Sequence, residues 1–241
     1  MSAACRTAGI AGEHCRVNED SKRRPIASRR WRISQKLASH LAERGIAPNA
    51  ISIAGMACGL LAGCLFAATS RNLALAPWFW LLGAVLVQLR LVANMLDGMV
   101  AMLTHTSSPV GELYNEVPDR ISDTAIFVGL GYAVGGAPTL GFAAALAAML
   151  TAYARTTCVA AGAPANFCGP MAKQHRMVAV TCLALASLVV PADNGLWQYV
   201  SHAFTPTNLA LSIIIVGSVI TAVRRLTASA RHLGRGGTRN E

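Results

Sequence analysis

The sequence predicts an all-α integral membrane protein: six transmembrane helices preceded by an amphipathic helix at the interface. Three observations carry that expectation. The chain is 54% hydrophobic, yet its formal charge is +10. Its apolar residues gather into long runs, with the charges gathered between them, rather than recurring at the spacing of a soluble helix or strand. Its basic residues crowd the two ends: ten Lys or Arg precede Pro48 and five more (Arg224, Arg225, Arg231, Arg235, Arg239) follow the last apolar run.

Residues 1–28 are polar and Arg-rich, with no apolar centre. They read as a disordered basic segment and not as a secretory signal. Residues 29–44 place Ile33, Leu37 and Leu41 at helical spacing near Trp31, with Ser28 as cap and Gly45 and Pro48 as stops. This is an amphipathic helix for the headgroup plane, or else a short solvated helix leading to the membrane.

Six apolar segments follow at 50–69, 77–96, 113–137, 139–161, 173–192 and 209–223, each near the ~20 residues that a bilayer span requires. The third carries acids at its start and the sixth is short. Gly55, Gly59 and Gly63 form a stripe of small residues on the first span, which lets another helix approach closely. The membrane domain is expected over 29–226, with a basic cytoplasmic tail at 227–241.

The loops after the first, third and fifth spans hold Arg71, no charge and Asp193, whereas the other side holds both basic ends and Lys173 with Arg176. The positive-inside rule therefore puts both termini in the cytoplasm of a cell whose inner membrane holds the protein. The basic excess reads as topology and contact with anionic headgroups. No aromatic-interleaved basic motif points to nucleic acid. The seven cysteines form no CxxC pair, so neither a disulfide framework nor a zinc site is indicated.

Of eleven acids, five fall within 27 residues: Asp97, Glu112, Glu116, Asp119 and Asp123, at the cytoplasmic ends of the second and third spans. A charge at mid-bilayer costs roughly 2.5–3.5 kcal/mol, so three unpaired aspartates would cost on the order of 9 kcal/mol at that depth. They must occupy a wet cavity, be neutralised by a cation, or both. Asn94 and Asp97 share one helix face; Asn115, Asp119 and Asp123 share another. Two facing helices would present an oxygen-rich pocket suited to Mg²⁺ or Mn²⁺. Mg²⁺ commonly recruits substrate phosphate oxygens, which points to a phosphorylated substrate.

Gly98, Ala101 and Gly111 beside these oxygens either admit a bulky ligand or simply let helices pack. Arg90 lies on the face of Asn94 and Asp97, where it holds a diphosphate or ion-pairs with Asp97 or Asp119. Arg155, late in the fourth span, and Lys173, His175 and Arg176, at the start of the fifth, add cations on the same side. Contact with lipid phosphates is the alternative use for the loop basics.

The stretch Asn94-x2-Asp97-Gly98-x2-Ala101-Met102, then eight residues, then Gly111-x3-Asn115-x3-Asp119 resembles the CDP-alcohol phosphotransferase signature, D-x2-D-G-x2-A-R-x8-G-x3-D-x3-D. The Pro48-Asn49 pair before the first span is similar to that family as well. Asn94 and Asn115 replace two of the four aspartates, and Met102 replaces the arginine. The resemblance implies transfer of a substituted phosphate from CDP-diacylglycerol or a similar CDP-alcohol to an alcohol, with release of CMP. It implies metal ligation by Asn94, Asp97, Asn115 and Asp119, with Asp119 as general base. CDP-lipid would contact Arg90, Gly98, Ala101, Gly111 and Asp123. A small, phosphorylated acceptor would contact Arg155, Lys173 and Arg176, and the assembly would be a homodimer. Two other readings remain: a family member that binds CDP-lipid without turnover, motivated by Asn94, Asn115 and Met102, and a membrane transporter. The transporter is disfavoured because no acid inside a span continues toward the outer face.

Overall fold

Residues 32–106, 109–165, 169–189 and 205–237 are described by the computed structural model, and they form seven α-helices. These are α1 (Arg32–Glu43), α2 (Pro48–Ala68), α3 (Ala76–Leu103), α4 (Pro109–Gly131), α5 (Pro138–Ala160), α6 (Lys173–Val189) and α7 (Pro206–Gly237). No strand occurs among the described residues. The basic segment 1–28, the first residues of the expected interfacial helix and Asp193 lie outside them.

The chain leaves α1 where the sequence signals a stop. Gly45 adopts φ 69°, and the amides of Gly45 and Ile46 turn back onto the carbonyls of Ala42 and Leu41. That is the left-handed cap that glycine tolerates best. Pro48 then opens α2, where its missing amide hydrogen costs nothing. Ala38 of α1 is buried among Ile51, Leu96, Met99 and Val100, while Ile33 and Leu37 remain exposed on its other edge.

α2 packs against both α3 and α4, α5 against α4 and α7, and α6 against α3 and α7. The small-residue stripe of α2 makes the first of these contacts possible. A side chain at Gly59 would run into Ser122, and one at Gly63 into the backbone of Ala125, so α4 lies directly on the stripe. Phe66 fills the space left by Gly83, and its ring stands 5.3 Å from that of Trp80. At the end of the bundle remote from the acids, Ser70 Oγ donates to the Tyr132 carbonyl and Asn208 Oδ1 accepts from the Ala137 amide, both at 2.8 Å.

The exterior is the apolar side of this molecule. Leu61, Trp78, Phe142, Leu146, Tyr153 and Val216 are all exposed, whereas Arg90, Asp97, Asp123 and Arg176 are buried. Apolar cover of this extent belongs in a bilayer. Four helices, α2, α3, α5 and α7, are long and apolar enough to cross a membrane. α4 and α6 overlap the other two expected spans but do not meet that measure. α4 carries Glu112, Glu116, Asp119, Arg120 and Asp123, and α6 has 17 described residues.

α4 starts and ends a few residues earlier than the expected third span, Pro109–Gly131 against 113–137, and two helices run well past their expected ends. α3 continues to Leu103 instead of ending at Leu96, because Asp97 is accommodated inside the helix by hydrogen bonds rather than expelled from it. α7 runs 32 residues from Pro206, about twice the expected apolar segment, since its basic continuation stays helical after hydropathy falls.

Candidate active site

The acids converge because α2 brings α3 and α4 together. A small cavity opens between the three helices, lined by Ser52, Gly55 and Met56 of α2, Arg90, Asn94 and Asp97 of α3, and Asn115, Pro118, Asp119 and Ser122 of α4. All four expected metal ligands thus line a single cavity, together with Arg90. Gly98 and Ala101 lie on the last turns of α3 and Gly111 on the first turn of α4; none of the three is among the lining residues. Pro118 interrupts the amide ladder of α4 beside Asp119, and Ser122 Oγ donates to its carbonyl at 2.7 Å.

The two carboxylates are held differently. Asp97 accepts from Ser52 Oγ at 2.6 Å and from the Gly98 amide at 2.5 Å. Asp119 is surrounded by cations: Arg90 Nη2 at 3.2 Å, Arg120 Nη2 at 3.9 Å, and Lys173 Nζ, which donates directly to Oδ2. The Arg90 guanidinium also donates to the Asp119 carbonyl at 3.0 Å.

Asp123 sits one turn deeper, fully buried between two guanidinium groups. Its Oδ1 accepts from Arg90 at 2.6 Å and its Oδ2 from Arg176 at 3.2 Å. Arg176 is itself buried and also donates to Thr151 Oγ1 at 3.0 Å and the Met171 carbonyl at 3.1 Å. Arg155 of α5 pairs with Glu116, which lies 3.6 Å from Arg120. Hence Lys173 reaches the cavity acid directly, Arg155 reaches it through Glu116 and Arg120, and Arg176 is tied into the bundle. His175 is exposed.

Sequence reasoning missed three participants: Ser52, Arg120 and the pairing role of Glu116. Ser52 lies on an uncharged helix, and only a helix crossing identifies its partner. Arg120 and Glu116 sit at i, i+4 in α4, a spacing that the sequence does display.

The donor set fits a divalent ion shared with a substrate. No group of three His, Cys, Asp or Glu side chains with metal-binding arrangement occurs among the described residues. Two carboxylates and two amide oxygens around one cavity leave coordination positions for phosphate oxygens, the usual habit of Mg²⁺. Arg90 Nε and Nη1 are buried and have no hydrogen-bond partner among the described residues. Buried orphan donors on a cavity wall suit an anionic oxygen.

Comparison with known proteins agrees. The family model for CDP-alcohol phosphatidyltransferase matches residues 45–228. Phosphatidylinositol phosphate synthase of Streptomyces avermitilis is 27% identical over 207 residues, covering 83% of this chain and 79% of the relative. Inner membrane protein YnbA of Escherichia coli is 25% identical over 181 residues, covering 73% and 88%. The Mycobacterium tuberculosis phosphatidylinositol phosphate synthase shares the fold. Solved with CDP-DAG bound, it gives a TM-score of 0.63 at 22% identity, covering 83% of this chain and 94% of its own. Solved with manganese and citrate, it gives 0.64 at 20% identity, covering 81% and 88%. With the family model spanning both halves of the signature and every helix that lines the cavity, this chain belongs to the CDP-alcohol phosphatidyltransferase family.

Proposed function

We propose that the protein transfers the phosphatidyl group of CDP-diacylglycerol to a small phosphorylated alcohol, releasing CMP, at the cytoplasmic face of the inner membrane. The observation that carries this reading is the convergence of Asn94, Asp97, Asn115, Asp119 and Arg90 on one cavity. The CDP-DAG complex of the mycobacterial enzyme and the relative in Streptomyces avermitilis support the substrate class. All six long helices, α2 to α7, would then cross the membrane, with both termini in the cytoplasm and a homodimer as the assembly.

In this reading Asn94, Asp97, Asn115 and Asp119 hold Mg²⁺ or Mn²⁺, which neutralises the diphosphate charge; the manganese-containing mycobacterial structure supports the choice of metal. Arg90 supplies its two unpartnered donors to a diphosphate oxygen. Asp119 accepts the proton of the acceptor hydroxyl. The acceptor oxygen bonds to the phosphorus bearing diacylglycerol, the bond from that phosphorus to the CMP oxygen breaks, and CMP leaves. Asp119 must part from Lys173 before it can act as a base. The released ammonium is then available to the phosphate of the acceptor, and Arg155 becomes a second cation for it once it leaves Glu116.

Purified protein incubated with CDP-diacylglycerol and a panel of phosphorylated and unphosphorylated alcohols tests this, with the lipid product read by mass spectrometry. The reading expects a new phosphatidyl ester from a phosphorylated acceptor. CDP-lipid binding without any product would favour the non-catalytic alternative that Asn94, Asn115 and Met102 motivate.

A further inference from the structure

Asp97 and Asp119 line one cavity, yet only one of them is neutralised. Arg90, Arg120 and Lys173 surround Asp119, whereas no Lys or Arg lies within ion-pair distance of Asp97 among the described residues. Asp97 is 3% exposed, and two hydrogen bonds hold it. One comes from the amide of the next residue, Gly98, and the other from a different helix, through the Ser52 hydroxyl at 2.6 Å.

Ser52 is itself buried and lines the same cavity. Its hydroxyl has one hydrogen. The Pro48 carbonyl lies at 3.4 Å and the carboxylate at 2.6 Å, so that hydrogen belongs to Asp97. The two contacts fall on different oxygens, Oδ2 and Oδ1. Each oxygen keeps a free lone pair, and the plane of the carboxylate is fixed from both sides.

We infer that Ser52 is a positioning residue, whose hydroxyl holds Asp97 in the one orientation that ligates the divalent ion. The inference rests on the metal reading proposed above. It has particular force in this chain because Asn94 and Asn115 contribute no charge, so Asp97 is one of two anionic ligands. A hydrogen bond behind a carboxylate ligand sets its direction, and losing such a contact typically weakens metal binding by about 10–100-fold.

Mn²⁺ binding to the purified full-length protein without substrate, followed by the paramagnetic resonance signal of free Mn²⁺, reads this separately from turnover. Ser52→Ala should raise the Mn²⁺ dissociation constant about tenfold or more. Ser52→Thr and Ser52→Val have the same shape and differ only in the hydroxyl, so they decide the matter even where Ser52→Ala fails to fold. Tight binding by the Thr variant and weak binding by the Val variant is the expected pair. Equal affinity in the two, or wild-type affinity in a folded Ser52→Ala, overturns the role of Ser52. Asp97→Asn is the control for the metal itself. If it binds Mn²⁺ as wild type does, the metal reading fails, and the positioning role falls with it.

Discussion

Asp123→Ala should destabilise the bundle before it affects any chemistry. Asp123 is 2% exposed and, among the described residues, is the only carboxylate that joins Arg90 to Arg176, two guanidinium groups almost wholly removed from solvent. Removing one member of such a buried network leaves charge uncompensated and costs about 3–5 kcal/mol. Arg90 retains Asp119, and Arg176 retains Thr151 and the Met171 carbonyl, which places the loss toward the lower end of that range. For a chain of this size the unfolding midpoint should fall by about 10 °C. Thermal unfolding of the detergent-purified variant, followed by tryptophan fluorescence, measures it. Adding Arg176→Met removes one of the stranded cations, so the double variant should lose less than the sum of the two single changes. A midpoint within about 2 °C of wild type, well below the shift expected for a broken buried network, combined with lost CDP-lipid binding, would refute the reasoning. Asp123 would then serve the ligand, as its place beside the signature implies from sequence.

Asp119→Asn keeps the shape and an oxygen ligand but cannot take a proton, so turnover should fall roughly 10²–10⁴-fold with a smaller change in the KM for CDP-lipid. Retention of more than about a tenth of wild-type turnover would exclude Asp119 as the base. Arg155→Ala and Lys173→Ala should each raise the acceptor KM more than that of CDP-diacylglycerol. An effect on CDP-lipid alone would mean that the two substrate sites are assigned in reverse. Gly63→Leu drives a side chain into the Ala125 backbone, and overpacking of that kind costs about 1–3 kcal/mol or more. An unchanged melting curve would contradict the close approach of α2 to α4.

What the sequence displays and what it hides divide along a physical line. Features set within one helix or turn are legible. Gly45 and Pro48 mark the break between α1 and α2, and the Gly55, Gly59 and Gly63 stripe announces a close neighbour. The spacing of Asn94 with Asp97 and of Asn115 with Asp119 announces two oxygen-bearing faces, and these four residues line one cavity.

Features set by how helices cross are not legible. From the sequence alone Arg90 is open between a diphosphate, Asp97 and Asp119; its ion pairs are with Asp119 and Asp123. That choice depends on the rotation of α4 against α3, which no periodicity encodes. The Ser52–Asp97 bond spans 45 residues and joins an uncharged helix to a charged one, leaving no local signal. Hydropathy also misplaced the end of α3, because a charged residue inside a helix looks, in sequence, like its end.

A site with two aspartates and two asparagines should still catalyse phosphatidyl transfer. Release of CMP from CDP-diacylglycerol by the purified protein, measured with and without a phosphorylated alcohol and with and without EDTA, tests that claim most directly. CMP release should require Mg²⁺ or Mn²⁺, increase with the acceptor and stop when the metal is chelated. Release that continues undiminished in excess EDTA, or none above background with metal and every acceptor present, would contradict it.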